Sequence, residues 1–245
     1  MQVLENDNMI PLSPNDTFRF SCSENIPCFN ECCRDLNQFL TPYDILRLKN
    51  RLGISSDIFL DRHTVQHTGP ESGLPVVVFK TDDASELKCP FVTPSGCSVY
   101  EDRPSSCRTY PLFRVVSRSR ETGRMTEQHV LIKEAHCLGF EQGHVQTVRE
   151  WTENQGIAIY NEMNDLLMEI ISLKNQFRPG PLDMKSRHIF HIACYDLDAF
   201  RTHIFEKGGL DGSDMDADIS EAAKNDDTAL LRLSLEWLKQ TLFKS

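Results

Sequence analysis

Eight of the nine cysteines fall within the first 137 residues, and four of them, Cys22, Cys28, Cys32 and Cys33, occupy twelve consecutive positions. The others follow at Cys89, Cys97, Cys107 and Cys137. A small core has no need of so many thiols. A metal ion or an iron–sulfur cluster does, because thiolates are its soft ligands. These eight are the candidate metal ligands. The first group is spaced C-x5-C-x3-C-C, which is neither the C-x2-C pair of a zinc ribbon nor the ferredoxin run C-x2-C-x2-C. It also misses C-x3-C-x2-C, because the last position falls on Asp35. Adjacent cysteines point in different directions from one backbone. Cys32 and Cys33 therefore ligate different atoms, or one ligates and the other packs. Two metal sites sharing this segment and one multi-iron centre both satisfy the count.

A second constellation reads Cys89-Pro90-Phe91, Gly96-Cys97, Tyr100, Arg103-Pro104 and Cys107-Arg108-Thr109-Tyr110-Pro111. Arg103 and Arg108 flank Cys107, where guanidinium groups would offset thiolate charge or pair with Glu101 and Asp102. Cys137, beside His136, reads as a further ligand and His136 as a histidine that could complete a site. Cys194 lies in an apolar stretch and reads as a small buried hydrophobe. His63, His67, His129, His144 and His203 read as surface residues, and His188 and His191 as packing ones.

With the first cluster and the helix start Leu40-Thr41-Pro42-Tyr43-Asp44-Ile45, this pattern resembles the YkgJ-type cysteine-cluster family over roughly residues 18–140. The resemblance implies a zinc- or iron-chelating domain, with Cys28, Cys32, Cys33, Cys89, Cys97 and Cys107 carried over by position. The family writes its first cluster C-x2-C-x2-C-C. The longer spacers here leave its first ligand position at Cys22 or Cys28. One branch includes a flagellin lysine N-methylase, so the resemblance extends to a redox or protein-modifying enzyme. No G-x-G-x-G loop for a conventional SAM-binding unit is present. The cofactor expected is an iron–sulfur cluster, [4Fe–4S] or similar, and the alternative is structural zinc in a protein-interaction module.

A net charge of -10 argues against a nucleic-acid partner and leaves a protein partner or protein substrate. The arginines between Arg103 and Arg124 form a local basic patch that could dock one, or simply a solvated hairpin. Met1 to Glu5 shows no basic-then-apolar leader, and no apolar run approaches the ~20 residues of a bilayer span. The expected location is cytoplasmic, where thiols stay reduced. An odd cysteine count also fits poorly with a disulfide framework.

The elements that must aim these residues are short. Residues 1–20 read as an extended arm. Thr41 as N-cap, Pro42 at N1, Asp44 at N3 and Gly53 as a left-handed stop define a helix, and a second begins at Ser55 or Ser56. The β-branched run Leu74–Lys80, a polar turn at 81–85 and Leu87–Phe91 read as one hairpin. Phe113–Val116 and His129–Ile132, around a turn at Glu121–Arg124, read as another. Cys89 then sits on a strand, Cys97 and Cys107 in the loop between hairpins, and Cys137 just past a strand end. From residue 143 apolar residues recur at helical spacing from Val148 to Ile171. A break follows at Phe177–Pro181, then a strand at His188–Ala193, a helix capped by Asp196, a solvated acidic loop at 211–219 and a final helix over Leu230–Leu242. The fold expected is α+β: an irregular Cys-rich metal-binding core of short helices and β-hairpins over 18–142, with a mainly helical cover over 143–245.

Overall fold

The structure, a computed structural model, describes residues 8–35, 38–69, 73–81, 86–118, 122, 124–210, 215 and 217–243. Residues 82–85 of the expected polar turn, Glu121 and Gly123 of the turn at 121–124, Arg120, and Asp214 and Asp216 of the acidic loop lie outside them.

Where an extended arm is expected, two short strands form, β1 (Met9–Leu12) and β2 (Thr17–Arg19). Next comes β3 (Phe39–Leu40), and then Thr41 starts α1 (Pro42–Leu52) with a capping box. The Thr41 hydroxyl accepts the Asp44 N–H, and the Asp44 carboxylate accepts the Thr41 N–H at 2.9 Å. Gly53, at φ 65, ends the helix as the sequence predicts. α2 (Ser56–His63) runs directly into β4 (Thr64–Thr68). The valine run becomes β5 (Pro75–Phe79), paired antiparallel on both sides in the order β3-β5-β4.

That pairing overturns the first expected hairpin. β5 turns back onto β4 through the short connection at 69–74, a nearer partner in sequence than Leu87–Phe91, which forms no strand. A two-residue ladder, β6 (Val92–Thr93) with β7 (Gly96–Cys97), and the one-turn helix α3 (Ser105–Thr109) follow. The second hairpin forms as expected from β8 (Leu112–Arg118) and β9 (Met125–Ile132), with Phe113 opposite Val130. β1 adds to it in the order β1-β9-β8, and β10 (Val145–Thr147) pairs with β2.

The remainder is helical. Thr147 repeats the capping box with Glu150 and starts α4 (Val148–Asn154). Gly156, at φ 59, parts α4 from α5 (Ala158–Phe177), so the single expected helix is two. α6 (Met184–Cys194) contains the segment expected as a strand: Asp183 caps it by accepting the Ser186 N–H at 2.8 Å. Its buried residues Phe190, Ala193 and Cys194 recur at helical spacing. α7 (Leu197–Phe205), capped by Asp196, α8 (Ala217–Ala222) and α9 (Asp227–Phe243) complete the α+β fold.

One hydrophobic cluster joins both ends of the chain. Leu40, Tyr43, Leu48, Phe59 and Phe79 pack with Tyr160, Ile170, Phe190, Phe200 and six leucines of α9. At about 1.5–3 kcal/mol for each fully buried side chain of this kind, these helices supply the apolar core that the irregular cysteine segments lack. A smaller cluster of Phe18, Phe20, Leu112, Leu131 and Val148 sits under the β1-β9-β8 sheet and against β2. No helix among the described residues is long and apolar enough to cross a membrane.

Candidate metal centre

All nine cysteines are free thiols. Eight gather where the two hydrophobic clusters meet: Cys89 and Cys97 pack against the larger, and Cys137 against the smaller. The vicinal pair divides them. Glu31–Cys33 forms a single 3-10 turn between Asn30 and Asp35, both held in left-handed backbone at φ 70 and 50. A turn so tight sends successive side chains to different sides.

On one side lies a cavity lined by Phe20, Cys22, Ile26, Cys28, Cys32, Tyr110, His136 and Cys137, with Gly139 at its wall. The Leu138 N–H donates to Cys28 Sγ at 3.2 Å, the kind of hydrogen bond that supports a ligating sulfur. Cys22 keeps a solvent-exposed face, yet the groups packed beneath it, and then repulsion from Cys32, Cys28 and Cys137, push its thiol up to about 11. Cys32 is drawn down to about 7 because the Cys33 thiol donates to it, and Cys33 is pushed up by the same bond.

On the other side Cys33 meets Cys89, Cys97 and Cys107. The Cys89 N–H donates to the Cys33 carbonyl at 2.8 Å, and the Asp35 N–H to the Leu87 carbonyl at 2.9 Å. An isolated bridge pairs Arg34 with Lys88. The Asn30 amide donates to the Thr93 carbonyl at 2.9 Å, which fixes the turn to the β6–β7 ladder carrying Cys97. Cys107 rides on α3, and its thiol donates to Gln38 Oε1 at 3.3 Å. Burial, then Cys89 and Cys97, push it up to about 12. Cys89 and Cys97 are raised as well, chiefly by burial.

The eight expected ligands are therefore two groups of four, Cys22, Cys28, Cys32 and Cys137 against Cys33, Cys89, Cys97 and Cys107. Their placement on elements differs from expectation at three: Cys89 is in irregular chain, Cys97 on β7 and Cys107 on a helix. Cys137 lies past the end of β9 as expected, and Cys194 is fully buried in α6. His136 borders the first group, 3.6 Å from Glu134. His129, expected at the surface, is buried on β9 beside Glu127. Arg103 and Arg108 pair with neither expected carboxylate. Asp102 is taken by Arg47 at 2.5 Å. Arg103 lies over the Tyr100 ring and donates to the Tyr100 carbonyl and Gln155 Oε1, both at 2.5 Å. Arg108 donates to the Gln155 and Glu101 carbonyls, and Arg114 pairs with Asp165 and Glu127. Three arginines of the basic patch, Arg103, Arg108 and Arg114, are thus bonded within the chain.

Three residues support the site in ways that the sequence does not announce. Asp44, besides capping α1, accepts the Ser105 N–H at 2.8 Å and so orients α3 and Cys107. Gln38 holds the Cys107 thiol. Tyr110 stands over the first group with its ring edge on Phe20 and its hydroxyl buried without a hydrogen-bond partner. Asp44 could have been suspected from its place in the capping box, but not its second helix.

Among the described residues no three His, Cys, Asp or Glu side chains already stand in an array set to hold a metal ion. Ligation therefore requires the thiols to rotate toward a shared centre, a change between staggered rotamers. The donors fit a soft cation: crowded thiols that raise one another's pKa are stabilised as thiolates once a cation sits between them.

Residues 21–138 match the sequence profile of the CxxCxxCC family, described as "Putative zinc- or iron-chelating domain". No curated protein and no solved structure matches the chain. The match spans all eight clustered thiols, and over residues 21–138, just under half of its length, the chain is similar to that family.

Proposed function

We propose that this metal-binding chain is an iron–sulfur protein that uses its eight clustered thiols as two four-cysteine ligand sets, and that it acts on or with another protein in a reducing compartment. The observation that carries the reading is the division of the thiols at Cys32-Cys33 into two groups of four. Four thiolates are the ligand count of a [4Fe–4S] cluster, and a shared turn would hold two centres close together. When bound, such a cluster supplies one-electron transfer. The chain's own part is to hold the sulfurs, donate the Leu138 N–H to Cys28, and keep the second group half-buried.

One observation favours structural zinc instead. Residues 20–35 and 86–104 contain little regular structure, and loop-rich segments of this kind are commonly fixed by zinc. The deciding experiment is metal and acid-labile sulfide analysis, with a visible spectrum, on protein purified without oxygen. Iron with sulfide and a broad visible band is the expected result. Colourless protein with zinc and no sulfide would replace this reading with the structural one.

A further inference from the structure

We propose that the two thiol groups are inequivalent metal sites: Cys33, Cys89, Cys97 and Cys107 hold a resident ion that closes the fold, and Cys22, Cys28, Cys32 and Cys137 hold an exchangeable one. This rests on the reading that both groups bind metal, and adds which site gives its ion up. Three independent features of the molecule separate them.

The first is access. Cys22 and Cys32 are exposed, and their group lines a cavity reached from the surface. None of the other four is exposed, and Cys89 and Cys97 pack against the main hydrophobic cluster. A chelator therefore meets the first ion more readily than the second, whose half-buried ligands open less often.

The second is attachment. The inner group is fastened by backbone pairing of 33–35 with 87–89, by Asn30 to Thr93, and by fully buried Asp44 to α3. Its ligands come from four separate places along the chain, so an ion there cross-links segments that are distant in sequence. The outer group takes three of its four ligands from Cys22 to Cys32, and loss of its ion would free mainly that one loop.

The third is charge. Four thiolates around a divalent ion, or around a doubly positive [4Fe–4S] core, leave two net negative charges. Beside the inner group stands Arg103, 8% exposed, its guanidinium pinned by the Tyr100 carbonyl, the Gln155 side chain and the Tyr100 ring. Held there it offsets the complex. Beside the outer group stand the carboxylates of Glu31 and Glu134, which repel a Cys32 thiolate. His136 and Tyr110 line the same cavity and offer polar contacts to a departing or arriving ion.

The test uses the full chain loaded with zinc under nitrogen and challenged with excess EDTA, with zinc release and melting temperature both followed. Two zincs per chain should leave in two phases differing at least tenfold in rate, and the fast one should not move the melting temperature. Cys137→Ser should abolish only the fast phase. Arg103→Gln should quicken only the slow phase. Cys107→Ser should remove the slow phase and lower the melting temperature; if it does not fold, the other two variants still decide. Release of both zincs in one phase, or loss of the slow phase in Cys137→Ser, would overturn the inequivalence. A chain that binds fewer than two zincs would overturn the two-set reading beneath it.

Discussion

At the scale of single residues, backbone conformation does as much as side-chain chemistry. Asn30 and Asp35 are left-handed on either side of the vicinal pair, a state that asparagine and aspartate tolerate better than other side chains. They let three residues turn within a 3-10 loop, and Cys32 and Cys33 part as a result. Gly96 plays the corresponding role beside Cys97. Its φ of 112 lies where side-chain-bearing residues are strained, and an added Cβ would stand 3.1 Å from the Phe29 ring. Gly53 has a positive φ too, but nothing lies within 4 Å of its missing Cβ. Gly96→Ala is therefore expected to cost about 1–3 kcal/mol of stability and to weaken binding at the group containing Cys97. Gly53→Ala should cost about 1 kcal/mol and leave metal content unchanged. Urea unfolding with zinc counting on both variants checks this; equal losses would mean that the Phe29 contact carries no weight.

At the scale of elements, α3 shows how a five-residue helix too short to be stable alone can still place a ligand. Asp44 is completely buried, and its carboxylate serves the first turns of two helices, accepting from Thr41 N–H and Ser105 N–H. Burial raises its pKa, and the bonds it accepts oppose that. Asp44→Ala would strand two part-buried N–H donors, at about 1–3 kcal/mol each. It is expected to lower the melting temperature of metal-free protein and to slow zinc uptake at the Cys107 site; unchanged uptake would detach α3 from that site. The α1 cap, the second hairpin and the final helix were legible because each carries its own local signal. β4 was not, because Thr-Val-Gln-His-Thr has little apolar content, and β5 chose it over Leu87–Phe91 once the fold brought them together. α6 was misread because a short apolar run around two histidines fits either period, while its deciding cap lies at Asp183. The ligands themselves were legible from composition, and the divergence of Cys32 from Cys33 from adjacency. Which thiol joins which group was not, since Cys89, Cys97, Cys107 and Cys137 reach the site by long-range packing that spacing does not encode.

At the scale of the whole molecule, the cysteine segments depend on the helices that follow them, and one buried ion network fastens the two. Lys49 of α1, nearly inaccessible, lies 3.5 Å from Asp198 of α7 and 3.0 Å from Asp227 of α9, which also meets Arg201. Asp198 accepts the Ser56 N–H at 2.6 Å as well. Its burial alone would raise its pKa, but the bonds from Ser56 and the charge of Lys49 outweigh that and hold it below the ordinary aspartate value. A carboxyl depressed in the folded state adds stability above its unfolded pKa, and that stability fades as pH falls through the folded one. Acid should therefore loosen the helical half from the metal-binding half, and part of that sensitivity should belong to Asp198. Asp198→Asn is expected to be less stable than the parent chain at neutral pH, with the gap narrowing as the pH drops below about 4, where unfolded aspartate titrates. The comparison is best made on metal-free protein by thermal melting from pH 7 to pH 3, because acid also strips thiolate-bound metal. A gap that stays constant across that range would show that the Asp198 charge does not couple α7 to α1, and would leave the shared hydrophobic cluster as what holds the cysteine segments to their cover.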